Sequence, residues 1–197
     1  VLLCAPIIHA LINYNQTGLK DAIILTIDES SEDDTVKICE AINITNPGGL
    51  GKSGKFDTKS LPRMKLRDIM NYSSSYDRIS YQYSHNFVDI LDFIVPRISF
   101  HIGNKHSLDI SLSLTYMEIL SRIPDSHISR KFGDKIAKKT SNNASDLLKI
   151  LDRENSPDYI ANELNNLDYE YKKKGINPGT TADLLVASLM IFNIFRV

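Results

Sequence analysis

Apolar positions recur at steps of three and four along most of the chain, the spacing of one helical face. Tyr76, Ile79, Tyr83, Phe87, Ile90, Leu91 and Ile94 form one such stripe, and predict a helix ended by Pro96. Ile160, Leu164, Leu167 and Tyr171 form a second. Ser156 is its expected N-cap, Pro157 its first turn, and Lys172, Lys173 and Lys174 followed by Gly175 its stop. The same patterning predicts helices at about 2–14, 18–27, 31–45, 64–74, 106–123, 126–139, 142–153 and 181–196. Ser31 and Asp34 have capping-box spacing, with Asp replacing the usual Glu. Leu108, Ile110, Leu112 and Leu114 alternate as a strand does, but no partner strand exists elsewhere, so this segment is read as helix. The fold class is therefore all-α: a single domain, 1–197, built as a bundle of about ten helices.

Between the helices, Asn46 to Arg63 is the one long irregular stretch. It carries Gly48, Gly49, Gly51 and Gly54 with Lys52, Lys55 and Arg63. A loop of that length inside a compact domain is more often functional than idle. Gly51-Lys52-Ser53 resembles the end of a P-loop. The required earlier glycine position is Asn46, however, and Thr35 to Thr45 reads as helix where a strand is needed, so the P-loop is rejected. What survives is a flexible basic loop whose Lys52 or Lys55 meets a phosphate, against the plainer reading of a glycine-rich surface loop.

Composition narrows the function classes. The 197 residues carry a formal charge of -1, without the basic excess of a general nucleic-acid or membrane-surface binder. A nucleotide pocket needs only a few local cations and stays open. The cysteines, Cys4 and Cys39, sit in apolar stretches and fit reduced, buried thiols of a cytoplasmic protein. The apolar run Leu184 to Phe195 is broken by Ser188 and Asn193 and is too short to cross a bilayer. The opening Val1 to Pro6 lacks a basic segment and does not read as a signal peptide. It reads as the inside of a helix, so the chain is expected to be a fragment. His9, His85, His101, His106 and His127 show no metal-ligand spacing and are read as structural or surface residues. No nucleophile elbow is present. The sequence leaves the metal ligands and the oligomeric state unassigned.

Three stretches combine phosphate-friendly turns with chargeable side chains. Ile176-Asn177-Pro178-Gly179-Thr180-Thr181-Ala182-Asp183 stops one helix and starts another, offering free N–H groups, two hydroxyls and a carboxylate. Its plain reading is a helix stop followed by a Thr or Asp cap. Asp125-Ser126-His127-Ile128-Ser129-Arg130-Lys131-Phe132-Gly133 follows Pro124. Either Asp125 is an ordinary cap beside a solvated Arg130 and Lys131, or those cations meet phosphate and Asp125 a metal or hydroxyl. Asp77 favours the positive end of a helix, and Arg78 either follows it passively or points into a site.

Together, Asn46-Pro47-Gly48-Gly49-Leu50-Gly51, Asp77-Arg78, Asp125 to Gly133 and Asn177 to Leu184 occur in an order that resembles the triphosphoribosyl-dephospho-CoA synthase family, in its divergent archaeal-type branch. The resemblance covers nearly the whole chain, and about the C-terminal two thirds of the family pattern. It lacks the family's Lys-Pro-Gly-type turn and Asn-Thr-rich motif. The resemblance implies a helical enzyme that uses ATP with Mg²⁺, releases adenine and joins the triphosphoribosyl group to the 2′-hydroxyl of 3′-dephospho-CoA. It implies small-molecule nucleotide substrates, no nucleic acid, no membrane and a cytoplasmic setting. Asp183 and Asp125 become the catalytic carboxylates, because the cation-like sugar transition state needs one. Asn46, Gly48, Gly49, Lys52, Arg78, Arg130, Lys131, Asn177, Gly179, Thr180 and Thr181 become the nucleotide-binding set. Archaeal-type members often lack a lyase to serve, which leaves the acceptor open. Two other readings remain: a kinase or ligase-like step in cofactor assembly on the same scaffold, and a non-catalytic nucleotide-binding helical protein.

Overall fold

The computed structural model describes residues 1–45, 56–104, 107–152 and 156–195. Among these residues there are eleven α-helices and no strand, so the all-α reading holds. Leu108–Arg122 is helical throughout; its strand-like alternation yields to the missing partner. The described residues divide into two compact units, Val1–Val88 and Asp89–Val197.

The first unit contains α1 (Cys4–Asn13), α2 (Leu19–Asp28), α3 (Glu32–Thr45), α4 (Leu66–Ser73) and α5 (Arg78–Ser84), with a 3₁₀ turn at Thr58–Ser60. Ile7, Ile23, Ile27, Cys39, Met70, Tyr83 and Phe87 are buried within it. The Cys39 thiol is pushed up in pKa by that burial, whereas Cys4 is only half-buried. The capping box at α3 forms as spaced: the Asp34 amide donates to Ser31 Oγ (3.1 Å) and the Ser31 amide to Asp34 Oδ2 (2.9 Å). Asn43 anchors the 3₁₀ turn by bonds to the Thr58 carbonyl and hydroxyl at 2.9 and 2.7 Å.

The predicted helix from Tyr76 to Pro96 is corrected. It ends at Ser84, because Asn86 and Phe87 both take left-handed backbone (φ 55° and 58°). Arg67 helps hold the break, donating to the Tyr83 carbonyl and to Asn86 Oδ1. A wide π-turn follows at Asp89–Ile94, leading directly into α6 (Val95–Gly103). Pro96 therefore opens a helix instead of closing one. Its missing N–H costs nothing in a first turn, and its fixed φ suits one.

The second unit adds α7 (Leu108–Arg122), α8 (Ser126–Phe132), α9 (Asp134–Leu151), α10 (Pro157–Lys173) and α11 (Gly179–Phe195) to α6. Helix α7 is central, touching α6, α9, α10 and α11. Its Leu114, Met117 and Leu120 join Ala144, Leu147 and Leu151 of α9 and Ile160 and Tyr171 of α10 in one core cluster. A second correction falls here. The helix break lies at Gly133, not near residue 140. Gly133 adopts φ 85° and ψ 159°, a conformation essentially confined to glycine. Thr140 and Ser141 stay inside α9, because their hydroxyls bond back to the Ile136 and Ala137 carbonyls at 2.9 and 3.2 Å. Hydroxyls engaged in this way no longer compete with the helix.

Candidate functional site

The site is built from two helix starts within the second unit. Helix α10 ends as its sequence predicts. Gly175 takes φ 65°, its amide donates to the Lys172 carbonyl (3.0 Å), and the Ile176 amide reaches back to the Tyr171 carbonyl (2.9 Å). This pair of bonds is a Schellman stop. The chain turns through Asn177 and Pro178, and α11 begins at Gly179. Tyr116 of α7 holds the turn by donating its hydroxyl to the Pro178 carbonyl at 3.1 Å.

The two motifs singled out in the sequence meet at the starts of α8 and α11. Asp125 is 1% exposed. Its Oδ1 accepts the Ile128 amide at 3.0 Å, capping α8. Its Oδ2 accepts both the amide and the hydroxyl of Thr181, each at 2.8 Å, at the start of α11. In return, Thr180 Oγ1 accepts the His127 amide (3.2 Å) and bonds Ser126 Oγ (2.9 Å). Asp125 thus caps both helices, and Thr180 in return caps α8. Helix starts carry unsatisfied donors and partial positive charge. A buried carboxylate shared between two of them answers both. The clamp engages the Ile128 and Thr181 amides and the Asp125 carboxylate, so little of Asp125 is left for a metal or a substrate.

The other expected site residues distribute as follows. Gly179 opens α11; a Cβ added there would lie 3.5 Å from the His127 ring, an ordinary contact. Asn177 is exposed in the turn, and Asp183 is exposed one turn into α11. Arg130 is half-buried and Lys131 exposed in the last turn of α8, where Lys131 Nζ lies 5.1 Å from the Phe132 ring centre. Arg78 belongs to the first unit, where its guanidinium lies 3.7 Å over the Tyr81 ring, which in turn stacks on His85 at 3.8 Å. Asn46, Gly48, Gly49 and Lys52 lie outside the described residues. Among the described residues, no three His, Cys, Asp or Glu side chains converge as a metal site.

A second polar cluster was not visible in the sequence. Arg97 and His101, one turn apart on α6, face Glu118 of α7. Arg97 binds both carboxylate oxygens at 2.5 Å, and His101 Nε2 lies 3.2 Å from Oε1. Burial pushes the Glu118 carboxyl up, but the bonds from His101 and Arg97, with the Arg97 charge, outweigh it and bring it down to about 2. No local sequence pattern announces a contact between two helices.

Beside the turn lies a cavity of about 650 Å³ between α7 and α10. Asn177 and Pro178 form part of its wall, and Leu185 of α11 another part.

Comparison with known proteins gives a family and a similar fold. The model of the family described as ATP:dephospho-CoA triphosphoribosyl transferase matches residues 1–196. The crystal structure of a proposed triphosphoribosyl-dephospho-CoA synthase from Archaeoglobus fulgidus has a similar fold, with a TM-score of 0.71 and 21% identity. The alignment covers 96% of this chain and 78% of that one. No curated protein matches the sequence.

Proposed function

The chain belongs to the ATP:dephospho-CoA triphosphoribosyl transferase family, and from that premise we propose that the junction of α8 and α11 holds the triphosphate of ATP. The family reaction is a pentosyl transfer. The N-glycosidic bond at C1′ of ATP breaks, and adenine leaves with a proton. The 2′-hydroxyl oxygen of 3′-dephospho-CoA bonds C1′ as it loses its own proton. Charge develops on the sugar while the triphosphate stays attached, so the protein must hold a polyanion and steady a cation-like ring.

The observation that carries the assignment is the mutual capping of two family motifs whose paired residues are 56 apart in sequence. Asp125, with both oxygens engaged, acts as a positioning residue that fixes the start of α11. The Gly179–Thr180 end of that 17-residue helix presents its positive pole to phosphate. Arg130 and Lys131 add positive charge at the far end of α8. Asp183, exposed on α11, is the carboxylate assigned to the charge developing at C1′. Mg²⁺, when bound, would offset the charge of the triphosphate, and among the described residues no cluster of side chains is assigned to hold it. Nucleotide substrates of this kind support a cytoplasmic setting.

Steady-state kinetics of two variants test this. Asp183→Asn is expected to retain the fold and lower kcat by 100-fold or more. Gly179→Ala is expected to raise the KM for ATP with little change in stability. Asp183→Asn turning over at the native rate would remove Asp183 from the chemistry. Formation of ADP or AMP in place of adenine would point to a kinase or ligase-like reaction.

A further inference from the structure

The cavity beside the turn has a chemistry of its own. Leu112 and Met117 of α7, Leu164 and Leu167 of α10, Ile176 of the turn and Leu185 of α11 form an aliphatic wall. Apart from Met117 these side chains are only half-buried, so the folded chain leaves apolar surface there for something else to cover. A volume of about 650 Å³ is typical of pockets that take small organic ligands.

The lining carries no net charge. Its one cation, Lys172, is paired with its one carboxylate, Asp168, at 2.5 Å. Both tyrosines are neutral hydroxyls: burial pushes Tyr116 well above the usual phenol range and Tyr171 up to about 12. Each donates to a main-chain carbonyl, Tyr116 to Pro178 and Tyr171 to Thr140. A polyphosphate gains nothing in such a lining and would face Asp168. Ser113, Asn165 and Asn177 supply a few hydrogen-bonding groups among the aliphatic ones, enough to orient a ligand whose amides are spaced along a flexible chain.

We propose that this cavity binds the pantetheine arm of the acceptor, dephospho-CoA. The inference rests on the transferase reading for the identity of the acceptor, and on the cavity for its location. The arm is uncharged, bears a gem-dimethyl group and two amides, and joins its nucleotide through a diphosphate. With the arm between α7 and α10, that diphosphate emerges past Asn177 and Pro178, which wall the cavity and lead straight into Gly179. The acceptor is thereby held on the same turn that starts α11.

Isothermal titration calorimetry with three probes, dephospho-CoA, pantetheine and ATP, tests the assignment on the native protein and on Leu167→Trp, which fills the cavity from the α10 side. Leu112→Trp does so from the α7 side and serves if the first variant fails to fold, as judged by its thermal melt. The filled variant is expected to bind dephospho-CoA and pantetheine at least 10-fold more weakly and ATP within twofold of native. Unchanged dephospho-CoA affinity in a folded filled variant overturns the proposal. So does a selective loss of ATP affinity, which would assign the cavity to the donor nucleotide and leave the transferase reading standing. If the native protein uses neither nucleotide, the transferase reading fails, and pantetheine alone decides the cavity. Binding that is lost on filling supports the site, and absence of binding refutes it.

Discussion

Removing the Asp125 carboxylate should unfold the protein far more readily than an ordinary cap deletion does. The side chain accepts three hydrogen bonds, from the Ile128 amide, the Thr181 amide and the Thr181 hydroxyl, and it is 1% exposed. Asp125→Ala strands two buried backbone donors and one hydroxyl. A stranded buried donor costs about 1–3 kcal/mol, and bonds to a charged acceptor lie at the stronger end of the range. The hydroxyl can rotate toward another acceptor, so the total comes to about 3–6 kcal/mol, against the ~5–15 kcal/mol that holds a typical domain together. Asp125→Asn keeps one acceptor oxygen and should fall between Ala and native. Urea titrations followed by circular dichroism give these values. Thr181→Ala removes only the hydroxyl bond and should cost ~1 kcal/mol, and combined with Asp125→Ala it should be non-additive by ~1 kcal/mol or more. A loss below ~1 kcal/mol for Asp125→Ala with abolished turnover would refute the reasoning. The carboxylate would then be serving the reaction rather than the junction.

Other consequences follow from the same structure. The Glu118 carboxyl is brought down in the fold from its ordinary 4.5 to about 2, so its contribution is fully present above about pH 4.5 and is lost as pH falls through 2. The side chain is 14% exposed, and the difference corresponds to stabilisation on the order of 3 kcal/mol. In urea midpoints measured from pH 5 to pH 2, Glu118→Gln should be less stable than native at pH 5 and show a flatter acid limb; equal slopes would exclude the linkage. Gly133→Ala meets no neighbour within 4 Å, yet should cost ~1–3 kcal/mol through backbone strain alone, which a thermal melt would show as a lowered Tm. Gly179→Ala, by contrast, has ordinary backbone and an ordinary contact with His127. Its stability should stay within ~0.5 kcal/mol of native while its KM for ATP rises, and a large stability loss would mean that this glycine serves the fold.

Local features were legible in the sequence because local interactions fix them. The Ser31–Asp34 capping box, the Gly175 stop and the stripe of α10 each depend on residues within a turn or two of one another. Asp125 as a helix cap was legible for the same reason. Its second partner was not: Thr181 is distant along the chain, and nothing in either segment specifies the other except that both are helix starts with orphan donors. Arg97, His101 and Glu118 illustrate the same limit, since two helices must first pack before their charges meet. The sequence patterning divides this region at Thr140 and Ser141, both weak helix formers, whereas the break lies at Gly133. Tertiary burial of α9 and back-bonding hydroxyls overrode that propensity. Likewise the stripe is a real pattern of burial from Tyr83 to Ile94, with Tyr83, Phe87, Ile90 and Ile94 all buried, although Tyr76 at its start is exposed; periodicity does not register the two left-handed residues in its middle.

The family assignment turns on one reaction. Incubating the protein with ATP, Mg²⁺ and 3′-dephospho-CoA, and following both products by mass spectrometry, tests it most directly. Free adenine is expected in equal amount with a triphosphoribosylated dephospho-CoA, and both are lost with Asp183→Asn. Release of ADP or AMP with no adenine, from protein that binds both nucleotides, would contradict it.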